Sequence, residues 1–135
     1  MKIDNIIKES GEFVINLTNE DMAFATDWCG VKSGRDYNKF KEMNLTPQKT
    51  DIIDSVLIKE SPLSIECRVT QIIPLGSHDM FIAEVVNVLA DEKYMDKESD
   101  AFLLGEAKSV AYNHGNYYKL GEKIGKFGWS VQKKK

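Results

Sequence analysis

The chain is poor in cysteine, proline and histidine. Its two cysteines, Cys29 and Cys67, give neither a disulfide framework nor the paired spacing of a metal site. No run approaches the ~18 apolar residues of a membrane span. Nor does a long apolar run follow Met1-Lys2-Ile3-Asp4-Asn5, so no secretory leader is expected. A Gly-rich phosphate loop, a βαβ alternation and a nucleophile elbow are all missing, which argues against a doubly wound nucleotide fold and against serine-type catalysis. The 18 basic and 21 acidic side chains leave a net charge of −3, so global charge gives nucleic-acid binding no support. These absences point to a cytoplasmic protein in a reducing compartment. Lys133-Lys134-Lys135 reads as a solvated end.

What is present centres on residues 63–89. Leu63, Ile65, Cys67 and Val69 alternate with Ser64, Glu66, Arg68 and Thr70, the period-two pattern of a strand with one apolar and one wet face. Pro62 lacks an N–H and suits a strand start. From about Met80 to Leu89, apolar side chains fall on both faces. A strand covered on both sides, away from any sheet edge, is expected there. Leu75-Gly76-Ser77-His78-Asp79 between the two reads as a turn.

In chain order, Ile3, Ile6 and Ile7 have helical spacing until Ser10-Gly11 stops them. So short a helix is marginal alone, and the chain is expected to begin partway through a domain. Residues 12–17 read as a strand. Thr18 is expected to cap a helix over 22–29, with Asp21 in its first turn and Gly30 just past its end. Ser33 is expected to cap a second short helix whose Phe40 and Met43 pack inward. Residues 44–54 read as a connector, 56–58 as a strand, 101–108 as a short helix and 110–112 as a strand. Phe127, Trp129 and Val131 alternate as a last strand would. The sum is four or five strands with short helices between them. That is a mostly β, α+β single domain over 1–135, built on an antiparallel sheet.

Two readings stand for each chemistry-bearing residue. His78, at the turn, could donate to a ligand carbonyl or phosphate or shuttle a proton; it could equally be a surface histidine bonded to Asp79. Arg35 and Lys39 could hold an anion or cofactor near a helix start, while Ser33 and Asp36 could simply be capping groups. His78, His114 and Asp79 can be drawn as a metal site, but nothing in their spacing requires one. Cys67 reads as an inert core thiol, and Cys29 as a free thiol near a helix end. Tyr112, Tyr117, Tyr118, Phe127 and Trp129 read as core or interface packing, or as a wall for a flat aromatic ligand.

Several blocks then occur in a telling order: residues 13–16 (Phe-Val-Ile-Asn), 33–40 (Ser-Gly-Arg-Asp-Tyr-Asn-Lys-Phe), Leu45-Thr46-Pro47, residues 61–67 (Ser-Pro-Leu-Ser-Ile-Glu-Cys), 76–85 (Gly-Ser-His-Asp-Met-Phe-Ile-Ala-Glu-Val), Tyr117-Tyr118 and 120–125 (Leu-Gly-Glu-Lys-Ile-Gly). Together they resemble the flavin reductase-like, flavoredoxin-type FMN-binding split-barrel family across nearly the whole chain. The resemblance implies a Greek-key split β-barrel forming a homodimer, with FMN in a cleft at the dimer interface. It implies an electron carrier serving a redox protein partner, or an NAD(P)H:flavin oxidoreductase. By the same resemblance, Lys39 contacts the flavin or its phosphate, with Ser33 and Arg35 in the same motif. His78 lines the flavin site and Tyr112 sits beside the isoalloxazine. Family members carry further barrel strands and a Ser/Thr-plus-basic loop ahead of the position of Met1. The resemblance therefore implies an N-terminally truncated barrel. It leaves a second reading open, a degenerate split-barrel dimer with no cofactor and a binding or structural role.

Overall fold

The structure, a computed structural model, describes residues 3–133. Met1, Lys2, Lys134 and Lys135 lie outside the described residues, and with them most of the basic tail. Helix α1 (Ile3–Ser10) ends at Gly11, whose φ of +67° suits only glycine comfortably and turns the chain into β1 (Glu12–Asn16). After a 3-10 turn come α2 (Ala23–Val31) and α3 (Lys39–Glu42). Then follow β2 (Pro47–Lys49), β3 (Val56–Ile58), β4 (Leu63–Pro74), β5 (Asp79–Ala90), β6 (Val110–Asn113) and β7 (Asn116–Lys119). The mostly β, α+β expectation holds. Every pairing is antiparallel, in one sheet ordered β1-β4-β5 and two hairpins, β2-β3 and β6-β7. These sheets are open rather than closed into a barrel.

The β4–β5 hairpin is longer than its sequence pattern suggests, because Gln71-Ile72-Ile73-Pro74 extends β4 to the turn. Gly76, at φ +89°, supplies the backbone geometry of that turn, and Leu75 N–H donates to the His78 carbonyl at 2.8 Å. The pairing slips at two places. Glu66 faces Asn87 but Cys67 faces Val85; Val69 faces Ala83 but Gln71 faces Ile82. Val86 and Thr70 are thus the extra residues of two bulges, one on each strand.

Several expectations are corrected. The expected wet face of β4 is covered: Ser64 and Glu66 are buried, because Asn16 from β1 and the loop at 51–53 close over them with hydrogen bonds. Strand β5 stands at the edge of its sheet, with Val85 and Val88 exposed, since β4 is its one neighbour there. Thr18 does not cap; its hydroxyl bonds that of Thr26 at 2.7 Å, and Asn19 Oδ1 accepts the Met22 N–H instead. Gly30 lies inside α2, which runs on to Val31. Ser33 opens a turn rather than a helix, and Asn38 caps α3 by accepting from Lys41 N–H. The connector at 44–54 contains β2, and the region 101–108 holds only a 3-10 turn, Leu104–Ala107. Phe127, Trp129 and Val131 form no strand; Trp129–Val131 is another 3-10 turn. Alternation over so few residues, punctuated by Gly125 and Gly128, does not fix a strand that has no neighbour to pair with.

The best-buried region lies at the base of the hairpin. Met22, Ile53, Leu57, Cys67 and Ala107 bury apolar surface, each large side chain contributing about 1.5–3 kcal/mol. Beside them is a buried polar cluster. The Glu66 side chain accepts N–H groups from Asp51, Ile52 and Ile53, and the Asn87 amide at 2.6 Å. Ser61 Oγ donates to the Leu17 carbonyl at 2.6 Å, closing the chain around the start of β4.

Candidate functional site

Helix α2 organises the candidate site. Lys39 reaches back from α3 and donates from Nζ to the Cys29 carbonyl at 2.6 Å, satisfying one of the helix's last free carbonyls. Between them the chain folds tightly. Ser33 Oγ accepts the Arg35 N–H at 3.2 Å, and the Ser33 carbonyl accepts those of Asp36 and Tyr37. Tyr37 then meets Trp28 of α2 edge to face at 5.4 Å, with Lys32 Nζ 5.6 Å from its ring. Ser33 and Arg35 stay exposed, while Lys39 is half-buried. Arg35 forms no ion pair among the described residues.

The β6–β7 hairpin reaches the same helix from elsewhere in the chain. Tyr117 donates its hydroxyl to Asp27 of α2 at 3.1 Å, and Tyr112 meets Tyr117 edge to face at 5.1 Å. Desolvation first, then the Asp27 carboxylate, hold the Tyr117 phenol above its ordinary value. Lys119 pairs with Glu20 at 3.0 Å, fixing the far end of the hairpin. Tyr112 itself is 67% exposed, which leaves most of its ring available to a ligand or partner.

His78 stands apart from these contacts. It sits exposed at the tip of the β4–β5 hairpin, with Nδ1 2.9 Å from Ser77 Oγ. The expected partner Asp79 instead pairs with Lys8 of α1 at 2.6 Å. Bonds within the structure therefore tie Ser33, Arg35, Lys39 and Tyr112 to α2, and tie the His78 turn to α1. His114 lies in the β6–β7 turn at φ +48°. Among the described residues, no group of three or more His, Cys, Asp or Glu is placed to hold a metal ion.

Two clefts of about 560 and 280 Å³ open along α2 and share Met22, Ala25 and Leu45. The larger is walled by charged side chains, Lys59 and Lys93 against Asp21, Glu60 and Asp91; the smaller holds Thr18, Thr26 and Cys29. None of Ser33, Arg35, Lys39, His78 or Tyr112 lines either cleft. Asp27 escaped the sequence reading because its partner Tyr117 lies ninety residues away. Its helical position opposite no local cation was the one available signal.

The flavin reductase-like domain model matches residues 2–121, and the chain belongs to that family. Its structure resembles flavoredoxin of Desulfovibrio vulgaris (Miyazaki F), with a TM-score of 0.86 and 25% identity over 96% of this chain and 69% of that one. It also resembles nitrilotriacetate monooxygenase component B from Bacillus cereus, with a TM-score of 0.78 and 25% identity over 92% of this chain and 65% of that one. The FMN-binding protein from Thermus thermophilus shares the fold at 18% identity, with a TM-score of 0.71 over 91% of this chain and 65% of that one. Among curated relatives, an uncharacterized protein of Archaeoglobus fulgidus is 29% identical over 71% of this chain and 54% of its own length. The chain thus spans a little over half the length of the curated relatives it matches. No helix among the described residues is long and apolar enough to cross a membrane.

Proposed function

We propose that this chain is an FMN-binding redox protein, a flavoredoxin-type electron carrier working in the cytoplasm with a redox protein partner. The observation that carries the reading is the convergence on α2 of a cationic turn and an exposed tyrosine pair, in a chain of the flavin reductase-like family. FMN needs donors for a dianionic phosphate and an apolar surface for a flat ring. The residues fit both needs. Arg35 offers a guanidinium with no ion pair among the described residues, and Lys39 has two N–H donors beyond the one given to Cys29. Ser33 adds a hydroxyl, and Tyr112 presents an exposed ring. When bound, FMN would supply one- and two-electron redox chemistry; the protein would hold it and set its surroundings. In this reading Arg35, Ser33 and Lys39 hold the phosphate end and Tyr112 flanks the ring. His78 reaches the flavin only through a second copy or a rearranged hairpin tip.

The test is a titration of the purified chain with FMN, followed by quenching of flavin fluorescence. Binding in the micromolar range is expected, weakened about tenfold by Arg35→Ala or Tyr112→Ala, equivalent to ~1.4 kcal/mol each. A folded chain that leaves FMN free overturns the proposal in favour of a cofactor-free scaffold. NAD(P)H oxidation by the loaded protein would assign it as a reductase instead of a carrier.

A further inference from the structure

The larger cleft along α2, of about 560 Å³, has the volume of a small-molecule site, and no residue assigned to FMN lines it. Part of its lining is apolar: Met22, Ala25, Met43 and Leu45. The two methionines are unbranched and polarisable, so they adapt to an irregular aliphatic group.

Five charged side chains also line the cleft, and three of them are already engaged. Asp91 accepts the Lys93 N–H and pairs with the Lys93 ammonium at 3.7 Å, and that ammonium stands 5.0 Å from the Tyr94 ring. Glu60 accepts the Thr46 N–H through both oxygens, at 2.8 and 3.1 Å. Two charges of opposite sign are left over. Asp21 stands on the 3-10 turn leading into α2, and Lys59 follows β3. Neither forms an ion pair or a side-chain hydrogen bond among the described residues. A donor is left over as well. Asn19, also in the lining, is only 6% exposed, and its Oδ1 is taken by the Met22 N–H at 3.1 Å. Its Nδ2 makes no hydrogen bond among the described residues. A nearly buried amide donor is costly to leave unpaired, and a ligand oxygen in the cleft would satisfy it.

We infer that this cleft binds a zwitterion with an aliphatic body, the chemistry of an apolar α-amino acid. Its ammonium meets Asp21, and its carboxylate meets Lys59 and the Asn19 amide. Its side chain lies against Met22, Ala25, Met43 and Leu45. A ligand carrying one sign alone would match one of the two free charges and leave the other without a counter-ion. The inference does not depend on flavin binding.

The test is isothermal titration calorimetry of the full chain without flavin, with L-leucine as the probe. A Kd of about 1 mM or tighter is expected. Two fragments of the same molecule serve as comparisons. 4-Methylpentanoate lacks the amino group and 3-methylbutylamine lacks the carboxylate; each should bind at least about tenfold more weakly. Asp21→Asn and Lys59→Met should each weaken L-leucine binding about tenfold, with unchanged circular dichroism because both residues are exposed. No binding of L-leucine up to about 10 mM overturns the inference. So does binding that is indifferent to both substitutions. Either fragment binding as tightly as L-leucine also overturns it, and would make the cleft a site for a simple anion or a simple cation. None of these failures touches the flavin reading, since the titration contains no FMN and neither substituted residue is assigned to it.

Discussion

Glu66 gathers three backbone N–H groups and the Asn87 amide on one buried carboxylate. Burial pushes its carboxyl upward, but the Ile53 N–H, the Asn87 amide and the N–H groups of Ile52 and Asp51 outweigh burial and hold it below its ordinary value of 4.5. A carboxylate more acidic in the folded than the unfolded chain stabilises the fold above its unfolded value. That contribution is lost as pH falls through the folded value. Glu60, whose carboxylate accepts the Thr46 N–H at 2.8 Å, is likewise held below 4.5 and acts in the same direction. Stability should therefore decline as pH drops below about 4.5. Glu66→Gln, which sets an amide N–H against these donors, should cost about 1–3 kcal/mol in urea unfolding at neutral pH. It should also flatten the acid decline; an unchanged acid limb would mean that other carboxylates govern it. The sequence could not show this burial. Glu66 stands in a polar slot of an alternating strand, and its partners at 51–53 belong to a loop fifteen residues earlier with no pattern of its own.

At the scale of the element, side chains hold the 3-10 turn Glu20–Met22 that leads into α2 and the carbonyls at α2's far end. Asn19→Ala removes the acceptor for Met22 N–H and should cost about 1 kcal/mol. Lys39→Ala removes the donor to the Cys29 carbonyl and should cost about 0.5–1.5 kcal/mol. Chemical unfolding checks both, and it also separates two roles near the flavin. Lys39→Ala should lower stability and FMN affinity together, whereas Arg35→Ala should lower affinity alone. If Lys39→Ala left stability untouched, its bond to Cys29 would be incidental. Elements with their own periodicity were legible: α1, β1, β3, the long hairpin and β6 all lie where their residues suggest. Strand β2 was not, because Pro47-Gln48-Lys49 is exposed throughout and owes its conformation to pairing with β3. The capping residues were misplaced by one position, Asn19 for Thr18, since both types cap well and only the backbone decides.

At the scale of the whole molecule, the mixture of apolar surfaces is more informative than any one residue. Strand β5 looked like an interior strand because it is apolar on both faces, yet it stands at an edge with one neighbour. The tyrosines and tryptophan near the C-terminus read as core or interface packing or as a wall for a flat ligand; they are exposed, which sets aside the core alone. Sequence pattern shows that a surface wants covering, not what covers it. The ordered motifs were legible because they are local. The meeting of the 33–39 turn with Tyr112 through α2 was not, since it joins segments some seventy residues apart through Asp27 and Tyr117.

The two bulges of the long hairpin are slack taken up locally. Val86 adds a residue to β5 and Thr70 adds one to β4, yet the pairs on either side of each, Glu66 with Asn87 and Cys67 with Val85, Val69 with Ala83 and Gln71 with Ile82, keep facing each other. Deleting either residue should therefore leave every neighbouring pair in place and remove only the local bend and added twist of its strand. Each single deletion should fold with an unchanged circular dichroism spectrum; a deletion that abolished folding would mean that the bend itself is needed to seat the hairpin against the rest of the chain.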